Sequence, residues 1–413
     1  MRRGGARWRG GGALRPSRPP RPHRPRRRSA ARPRRGPGPL ITATPGGSRP
    51  RVLVDATALR DGRSAAGIGR YVARLLAALE ALPDGPRVTV VRPPGRARSE
   101  NRGWRWLAGQ PWALGTAVAR RPVAVHGPAG EPVLGWPLRR QVVTVHDVVP
   151  WTAAAAHPPG PGLAAYLAVQ RRLLRGCGAL IAVSATVAAE AAAALDIPEA
   201  RFAVVAEGVE APFTSEPGAA DARLRAAAGA PEGGYLVWAG SLRSPDPRKA
   251  LDVLVEAVSL LEKEGRGVPL VLAGAPGAAS VELAGLARER SVRLHLPGFV
   301  SDEALAALYR GAAAAVLPSR HEGFGLPALE AMACGAPLVA GRAGNLPDLC
   351  GDAALLVPPG DARELASALG AVLGDVAVAG RLRAAGPRRA DDFSWRRCAE
   401  ETSAVYRAIC SGA

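Results

Sequence analysis

The chain has 413 residues, a hydrophobic share of 47% and a formal net charge of +20. Its length allows two domains, each with a core of its own. The charge first suggests nucleic acid, but the first fifty residues hold fifteen arginines and no acid, which leaves about +5 for the remaining chain. Because the charge is concentrated in one segment, we expect no nucleic-acid partner.

Residues 1–50 form that basic segment, which is rich in Arg, Pro and Gly and has almost no aliphatic clusters. Such a composition cannot bury a core, so we predict a disordered extension. Its twin arginines are followed by no apolar stretch, which argues against a secretory signal. Whether these residues are translated is left open.

The first half of the remaining chain alternates short apolar runs with stretches of helical spacing, such as GIGRYVARLLAALEAL from residue 67. Most of the runs are continuous rather than alternating, which is typical of parallel strands buried on both faces. We therefore predict a Rossmann-like domain over residues 51–212. The runs are RVLVDATA (51–58), RVTVV (87–91), PVAVH (122–126), QVVTVHDVV (141–149), ALIAVS (179–184) and FAVVAEGV (202–209).

The second half begins after a turn-rich break, EGVEAPFTSEPGAAD (207–221), where the same pattern starts again. We predict a second Rossmann-like domain over residues 213–392, with a last helix in 393–413 that has no strand partner. Two such domains would face each other across a cleft, the usual ligand site of this α/β architecture. The runs are YLVWAGS (235–241), PLVLAGA (269–275), VRLHLPGFV (292–300), AAAVLPS (313–319), APLVAG (336–341) and AALLVPPGD (353–361).

The cysteines and the lengths of the apolar runs indicate the cellular compartment in which the protein is expected. The five cysteines are scattered, odd in number and without CxxC spacing, which favours a reducing compartment and no metal site. No apolar run approaches the roughly 18 residues of a membrane-spanning helix. We expect a cytoplasmic protein. A peripheral contact with the inner face of the membrane is left open, because Trp104, Trp106 and Trp112 lie among arginines, although core packing and loop filling explain these tryptophans better.

The segment SRHEGFGLPALEAMACG, residues 319–335, joins a predicted buried strand to a predicted helix. Gly323 and Gly325 permit positive φ and close approach to a ligand, and Pro327 suits the first turn of a helix. Free N–H groups and the helix dipole at such a terminus favour an anionic ligand. The segment therefore predicts an anion site at the carboxyl edge of a sheet.

Two glutamates flank that turn, Glu322 within it and Glu330 about one turn into the helix. A carboxylate accepts hydrogen bonds from pairs of hydroxyl groups. Two acids beside an anion site therefore suggest a sugar on one side of a phosphate and a ribose on the other. A D-x-D triplet is missing from the sequence, so we expect no divalent metal, with Arg248 and Lys249 as its substitute.

Residues 297–361, which contain this segment, resemble the C-terminal domain of retaining GT-B-fold glycosyltransferases of family 4. The E-x7-E pattern from Glu322 to Glu330 is the signature of that family. The resemblance extends to GIGRYVARLL (67–76), VVTVHDVVP (142–150), SLRSPDPRKALDVLVEAV (241–258) and FSWRRCAEETSAVYRAI (393–409), and covers nearly all of residues 51–409.

The resemblance implies a role for individual residues. Glu330 would hold the ribose, and Glu322 would contact the donor sugar near its reacting carbon. Arg248 and Lys249 would neutralise the departing diphosphate, and His146 would approach the sugar from the N-terminal, acceptor domain. The closing helix would cross back to that domain. The remaining residues assigned to the donor site are Gly67 and Gly69, in a loop that closes over the donor, the backbone at Gly323, Phe324, Gly325 and Leu326, and Val300.

The implied function is metal-independent transfer of a mannose-like sugar from a GDP- or UDP-linked donor to a saccharide or lipid-linked acceptor, with retention and without a cofactor. Alternatives are a non-catalytic paralogue that binds nucleotide sugar and another GT-B enzyme such as an epimerase. A phosphorylase would need a pyridoxal lysine, and neither Lys249 nor Lys263 has that context. Arg243 competes with Arg248 for the diphosphate, and Glu207 stands where the family commonly has Asn.

Overall fold

The structure, a computed structural model, describes residues 49–60, 67–92, 109–156 and 160–411. The predicted disordered extension therefore lies outside the described residues except for its last two, and so do Trp104 and Trp106. The described part contains two six-stranded sheets with helices between the strands.

Each apolar run of the sequence contains one strand. Within a run, the strand is the part that is hydrogen-bonded to its neighbours, and the flanking residues form turns. The strands are β1 (Arg51–Asp55), β2 (Arg87–Val91), β3 (Ala124–Gly127), β4 (Gln141–Val145), β5 (Ala179–Ala182), β6 (Phe202–Val204), β7 (Leu236–Ala239), β8 (Leu270–Ala273), β9 (Leu294–Gly298), β10 (Ala314–Leu317), β11 (Leu338–Gly341) and β12 (Ala354–Val357).

Both sheets are parallel, with strand order β2-β1-β3-β4-β5-β6 in the first and β12-β11-β10-β7-β8-β9 in the second. In the central strands β4, β7, β8, β10 and β11 every residue is buried, which explains their continuous apolar runs. The predicted α/β class with two Rossmann-like sheets is confirmed. The boundaries given above for the domains stay a prediction.

The helices cover both faces of the sheets. They are α1 (Gly67–Ala81), α2 (Gln110–Arg120), α3 (Val149–Ala156), α4 (Pro161–Gly176), α5 (Ala185–Leu195), α6 (Asp221–Ala227), α7 (Leu251–Lys263), α8 (Ala278–Glu289), α9 (Asp302–Gly311), α10 (Leu326–Ala333), α11 (Leu346–Cys350), α12 (Ala362–Gly374), α13 (Val376–Ala390) and α14 (Trp395–Ser411). Among the described residues, no single helix is long and apolar enough to cross a membrane, and one bent pair, α12 with α13, meets that test jointly by length and composition.

The last helix, α14, packs against α1 of the first half of the chain. The Tyr406 hydroxyl lies 2.7 Å from Nδ1 of buried His126, whose Nε2 lies 2.9 Å from the Thr144 hydroxyl. Trp395, at the start of α14, lies against Tyr71 of α1. Burial lowers the pKa of His126 to about 3, so this ring is neutral and serves as a structural link between α14 and the first sheet.

Candidate active site

The loop between β10 and α10 has the strand, glycine turn and helix that its sequence predicts. Gly325 has φ of 105°, a left-handed conformation that glycine adopts without the cost of a Cβ. A Cβ there would also press on the side chains of Leu346 and Leu349. Residues 318–325 form this turn and join the carboxyl end of the buried strand β10 to the start of α10.

Four consecutive backbone N–H groups at this turn have no acceptor within the described part of the chain. They lie at the N-terminal end of α10, where the helix dipole also favours negative charge. They belong to Gly323, Phe324, Gly325 and Leu326.

Glu322 is held in the middle of the turn by its neighbours. The Ser319 hydroxyl donates to its Oε1 atom at 2.7 Å, and the Asn345 backbone N–H donates to its carbonyl at 3.0 Å. Burial raises the pKa of Glu322 more than the Ser319 hydrogen bond and the charges of Lys249 and Arg248 lower it. The carboxylate is therefore a fixed acceptor beside two cations.

Arg248 and Lys249 lie in a short 3₁₀ segment, Pro247–Lys249, next to the glutamate turn. The Arg248 carbonyl accepts from the backbone N–H of Arg320 at 2.6 Å, which ties the two loops together. The Arg248 guanidinium donates twice to Asp246, at 2.9 and 3.0 Å. Arg243 of the same loop is exposed, so the choice between Arg243 and Arg248 as diphosphate ligand stays open.

The Lys249 ammonium contacts residues of the second half of the chain, to which Lys249 itself belongs. It donates to the Ser241 carbonyl at 2.6 Å and lies 5.5 Å from the centre of the Trp238 ring. Burial lowers its pKa, while Asp246 and Glu322 raise it. The structure thus brings Glu322, Arg248 and Lys249 together at one edge of the second sheet.

Glu330 is buried on the inner side of α10, with 3% of its surface exposed. The Arg70 guanidinium of α1 donates to its Oε1 atom, and its Oε2 atom has no hydrogen-bond partner among the described residues. Burial raises the pKa of Glu330 to about 7, although Arg70 acts in the opposite direction. A buried carboxylate oxygen without a partner is costly, which favours a role in binding.

His146 follows β4 and lies on the first half of the cleft. Its Nε2 donates to the Pro128 carbonyl at 2.8 Å, and its Nδ1 lies 3.4 Å from Glu207. The edge of the ring contacts Tyr71, with centroids 4.7 Å apart. Since both ring nitrogens face protein oxygens, the contact of His146 with a donor sugar stays a prediction.

The two halves meet directly at the glycine turn. The Ser184 hydroxyl, at the start of α5, donates to the Gly323 carbonyl at 2.7 Å. His321 Nε2 lies 3.0 Å from Glu190 of the same helix. A Cβ at Gly323 would collide with the carbonyl oxygen of His146. The backbone of the turn is therefore in van der Waals contact with the opposite half.

We expect Gly323→Ala to lower kcat/KM at least about tenfold, because the added Cβ would lie 2.1 Å from the His146 carbonyl oxygen, so the halves must separate by about 1 Å or more and the site is misplaced. The melting temperature should fall as well, since Val187 and Phe324 at this contact belong to a core that residues of both halves form together. Gly285→Ala is the matched control, as its Cβ would meet open space on α8. Equal activity of the Gly323 variant and wild type in a donor-turnover assay would contradict this contact.

The other residues predicted to contact the donor are Gly67, Gly69 and Val300. Gly67 and Gly69 lie in the first turn of α1 and not in a loop, while residues 61–66 before them fall outside the described residues. Val300 is half-buried and packs on the core after β9. Contact of these three residues with a donor stays a prediction.

The sequence reasoning missed several residues that build the site. Arg70 of the first half and Asp302 of the second half meet beside Glu330, with Arg70 Nη2 3.2 Å from Asp302 Oδ1. Asn345 donates from its side chain to the Phe324 carbonyl at 3.0 Å. The feature of the sequence that could have identified Arg70 is its position directly after the two glycines of GIGRYV.

The expected absence of a divalent metal stays a prediction. In the described ranges, no group of three or more His, Cys, Asp or Glu side chains lies together.

The two parallel six-stranded sheets, and the buried acids Glu322 and Glu330 near the contact between the halves, agree with the GT-B class of glycosyltransferases that the sequence resembles. Residues 65–211 match the family model described as Glycosyltransferase Family 4, and residues 233–375 match that described as Glycosyl transferases group 1. The chain belongs to this family of glycosyltransferases, which confirms the resemblance stated from the sequence.

Individual relatives agree with that membership. O-antigen chain mannosyltransferase B of Escherichia coli is 37% identical over 43% of this chain and 46% of its own. D-inositol 3-phosphate glycosyltransferase of Streptomyces griseus is 32% identical over 74% of this chain and 66% of its own. Sucrose-phosphate synthase from Thermosynechococcus elongatus superposes with a TM-score of 0.70 at 25% identity, over 89% of this chain and all of that one. The chain spans less than half the length of several curated relatives it matches.

Proposed function

We propose that this protein transfers a sugar from a nucleotide diphosphate sugar to a saccharide or lipid-linked acceptor, with retention at the anomeric carbon. The observation that supports the proposal is the set of N–H groups at Gly323–Leu326 that donate to no group among the described residues, next to Glu322, on which the charges of Lys249 and Arg248 act. Membership of the glycosyltransferase family gives the reaction class, and the relatives named above act on sugars.

The site suits the charges of the reaction. Breaking the bond between the sugar and the diphosphate builds positive charge on the ring and negative charge on the leaving group. Fixed amides and cations aimed at the leaving group stabilise that state, and one such donor is worth about 3 kcal/mol. We propose that the negative charge of Glu322, held in the same turn by the Ser319 hydroxyl, faces the positive ring.

For the donor we propose a mannose-like sugar on GDP or UDP, because one of the relatives is a mannosyltransferase by name. No cofactor is needed for this chemistry, since the nucleotide is itself part of the substrate. We further propose that the protein acts in the cytoplasm, at most in peripheral contact with the inner face of the membrane. Trp112 of α2 is half-exposed and is available for such a contact.

The proposal is tested in two steps with the full chain. A thermal-shift comparison of GDP, UDP, ADP and CMP should show stabilisation by one nucleoside diphosphate above the others. Incubation of the purified protein with the corresponding mannose or glucose donor should then release the free nucleotide slowly. Stabilisation without any release, even with acceptor sugars present, would favour a non-catalytic paralogue.

We expect turnover to continue in excess EDTA, within a factor of about two of the untreated rate. The reason is that Arg248 and Lys249 lie beside the amides that would hold the diphosphate, and can take the charge that Mg²⁺ takes in other sites. The measurement is donor turnover with EDTA and after re-addition of Mg²⁺ or Mn²⁺. Activity that disappears with EDTA and returns with metal would contradict this arrangement.

A further inference from the structure

Arg70 is the residue of the first half that reaches the proposed nucleotide site of the second. It lies in the first turn of α1, and its guanidinium donates to Glu330 on α10, 260 residues further along the chain. Its other terminal nitrogen lies 3.2 Å from Asp302 on α9, and the Phe213 ring stacks 5.9 Å from the guanidinium carbon. The planar group is thus fixed from three sides.

We propose that Arg70 is a positioning residue for the nucleotide: from the opposite half of the molecule, it holds the Glu330 carboxylate charged and oriented to accept the ribose hydroxyls. The inference rests on the proposed function, since it takes Glu330 as the ribose ligand. It adds that the ribose site is complete only when α1 lies against α10.

The hydrogen-bonding capacity of Glu330 supports this assignment. An ionised carboxylate has about four acceptor positions on its two oxygens. Arg70 takes one position on Oε1, while Oε2 has no hydrogen-bond partner among the described residues. The carboxylate therefore keeps acceptor positions for the two hydroxyl groups of a ribose beside the one that Arg70 uses. A protonated carboxyl would offer one oxygen less and would bind a diol more weakly.

The charge state of Glu330 depends on Arg70. Burial raises the pKa of Glu330 to about 7, and the charge and hydrogen bond of Arg70 are what lower it most. Without Arg70 the pKa would therefore rise further, and the carboxyl would be largely protonated at neutral pH. Nucleotide affinity should increase with pH as Glu330 ionises, and the midpoint of that increase should move upward when Arg70 is removed.

The Tyr309 hydroxyl and the Cys334 thiol, which also face Glu330, do not produce such a midpoint between pH 6 and 9. Burial raises the pKa of the Tyr309 hydroxyl well above its usual value and that of the Cys334 thiol to about 12, so both stay neutral. The groups that face Glu330 from the elements packed around it are Arg70 and Arg74 of α1, Asp302 and Tyr309 of α9, and Cys334 at the end of α10.

Arg74 provides a matched control on the same helix. It lies one turn after Arg70 and also bridges the halves, but its partners are Asp302 and Glu210, each at 2.7 Å, and not Glu330. Arg74→Gln therefore removes the same charge and an ion pair between the halves while it leaves the hydrogen bond to Glu330 intact.

The test is the affinity of the full chain for GDP or UDP, whichever binds, measured by calorimetry from pH 6 to 9. Arg70→Gln should weaken binding at pH 7 by roughly tenfold and shift the midpoint upward by about one pH unit, so that most affinity returns at pH 9. Arg70→Lys should keep the wild-type midpoint, and Arg74→Gln should move it upward by less than Arg70→Gln does, because Arg74 lowers the pKa of Glu330 through its charge alone. The terminal phosphate also titrates near pH 6, but it is common to all variants and cancels in the comparison.

A second nucleotide tests whether the loss of affinity in Arg70→Gln involves the ribose hydroxyls. The 2′-deoxy nucleotide should bind wild type more weakly than the parent nucleotide does, and this difference should shrink in Arg70→Gln. If Arg70→Gln does not fold, Arg70→Lys carries the test, because the ammonium keeps the charge but cannot bridge Glu330 and Asp302 as a planar fork. It should then keep the midpoint and bind the parent nucleotide more weakly.

Three results would overturn the inference. If Arg70→Gln keeps the wild-type affinity and midpoint, or if Arg70→Lys keeps the wild-type affinity, Arg70 does not position the nucleotide. Tighter binding by Arg70→Gln would show that the arginine blocks the site. Both outcomes leave the proposed function standing as long as Glu330→Gln weakens binding. A wild-type protein that binds neither nucleotide would overturn the proposed function, and this inference with it.

Discussion

Glu322→Gln should lower kcat about 10²- to 10³-fold and leave nucleotide diphosphate affinity nearly unchanged. The carboxylate is held by the Ser319 hydroxyl at the turn where the free amides lie, so it is fixed beside the position where charge would develop on the sugar. Glutamine keeps the shape of the side chain and the hydrogen-bonding oxygen but not the charge. An interaction that is stronger in the transition state than in the ground state appears in kcat.

The measurement pairs single-turnover donor cleavage with calorimetric nucleotide affinity on the same preparation. Glu190→Gln is the matched control, because it neutralises an acid that pairs with His321, the residue before Glu322, across the same contact. A part-exposed pair of this kind is worth at most about 1 kcal/mol, so the control should stay within about fivefold of wild type. A Glu322 variant with wild-type kcat would show that its charge is not used in the reaction.

The fold could be predicted from the sequence because parallel strands buried on both faces leave a pattern that is visible locally. AAAVLPS is such a run, and its central residues, Ala314–Leu317, form a fully buried strand. VRLHLPGFV is less uniform, and the strand it contains, Leu294–Gly298, lies at the edge of its sheet and is only half-buried. Turn chemistry was equally local, since Gly325 adopts the left-handed conformation expected of it.

The contacts between the halves could not be predicted in the same way. The partners Arg70 and Glu330 are far apart in the sequence, and no local period relates them. The surroundings of His146 were missed for the same reason, since its ring nitrogens lie against Pro128 and Glu207 from two different loops. A motif indicates which residues a site uses, whereas the partners that set their charge depend on packing of the whole chain.

Glu330→Gln should weaken nucleotide diphosphate binding by about 1.5–3 kcal/mol, or roughly tenfold to 150-fold, with a smaller effect on kcat. The carboxylate is buried, one oxygen has no hydrogen-bond partner among the described residues, and the proposed ribose hydroxyls are present before and during the reaction. The amide offers one acceptor oxygen where the carboxylate offers two, so one hydroxyl of the ribose loses its partner.

The same substitution should not lower stability at high pH, which separates a binding carboxylate from a structural one. Burial raises the pKa of Glu330 to about 7, above the value of about 4.3 expected in the unfolded chain. The folded state therefore binds the proton of the Glu330 carboxyl more tightly than the unfolded chain does. The stability that this protonation contributes is present below about pH 4 and is lost as the pH rises to about 7. Above pH 7 the buried charge costs free energy that a neutral glutamine avoids. We expect the melting temperature of Glu330→Gln to equal or exceed that of wild type at pH 8.5. A large drop there, with unchanged nucleotide affinity, would identify Glu330 as a structural partner of Arg70.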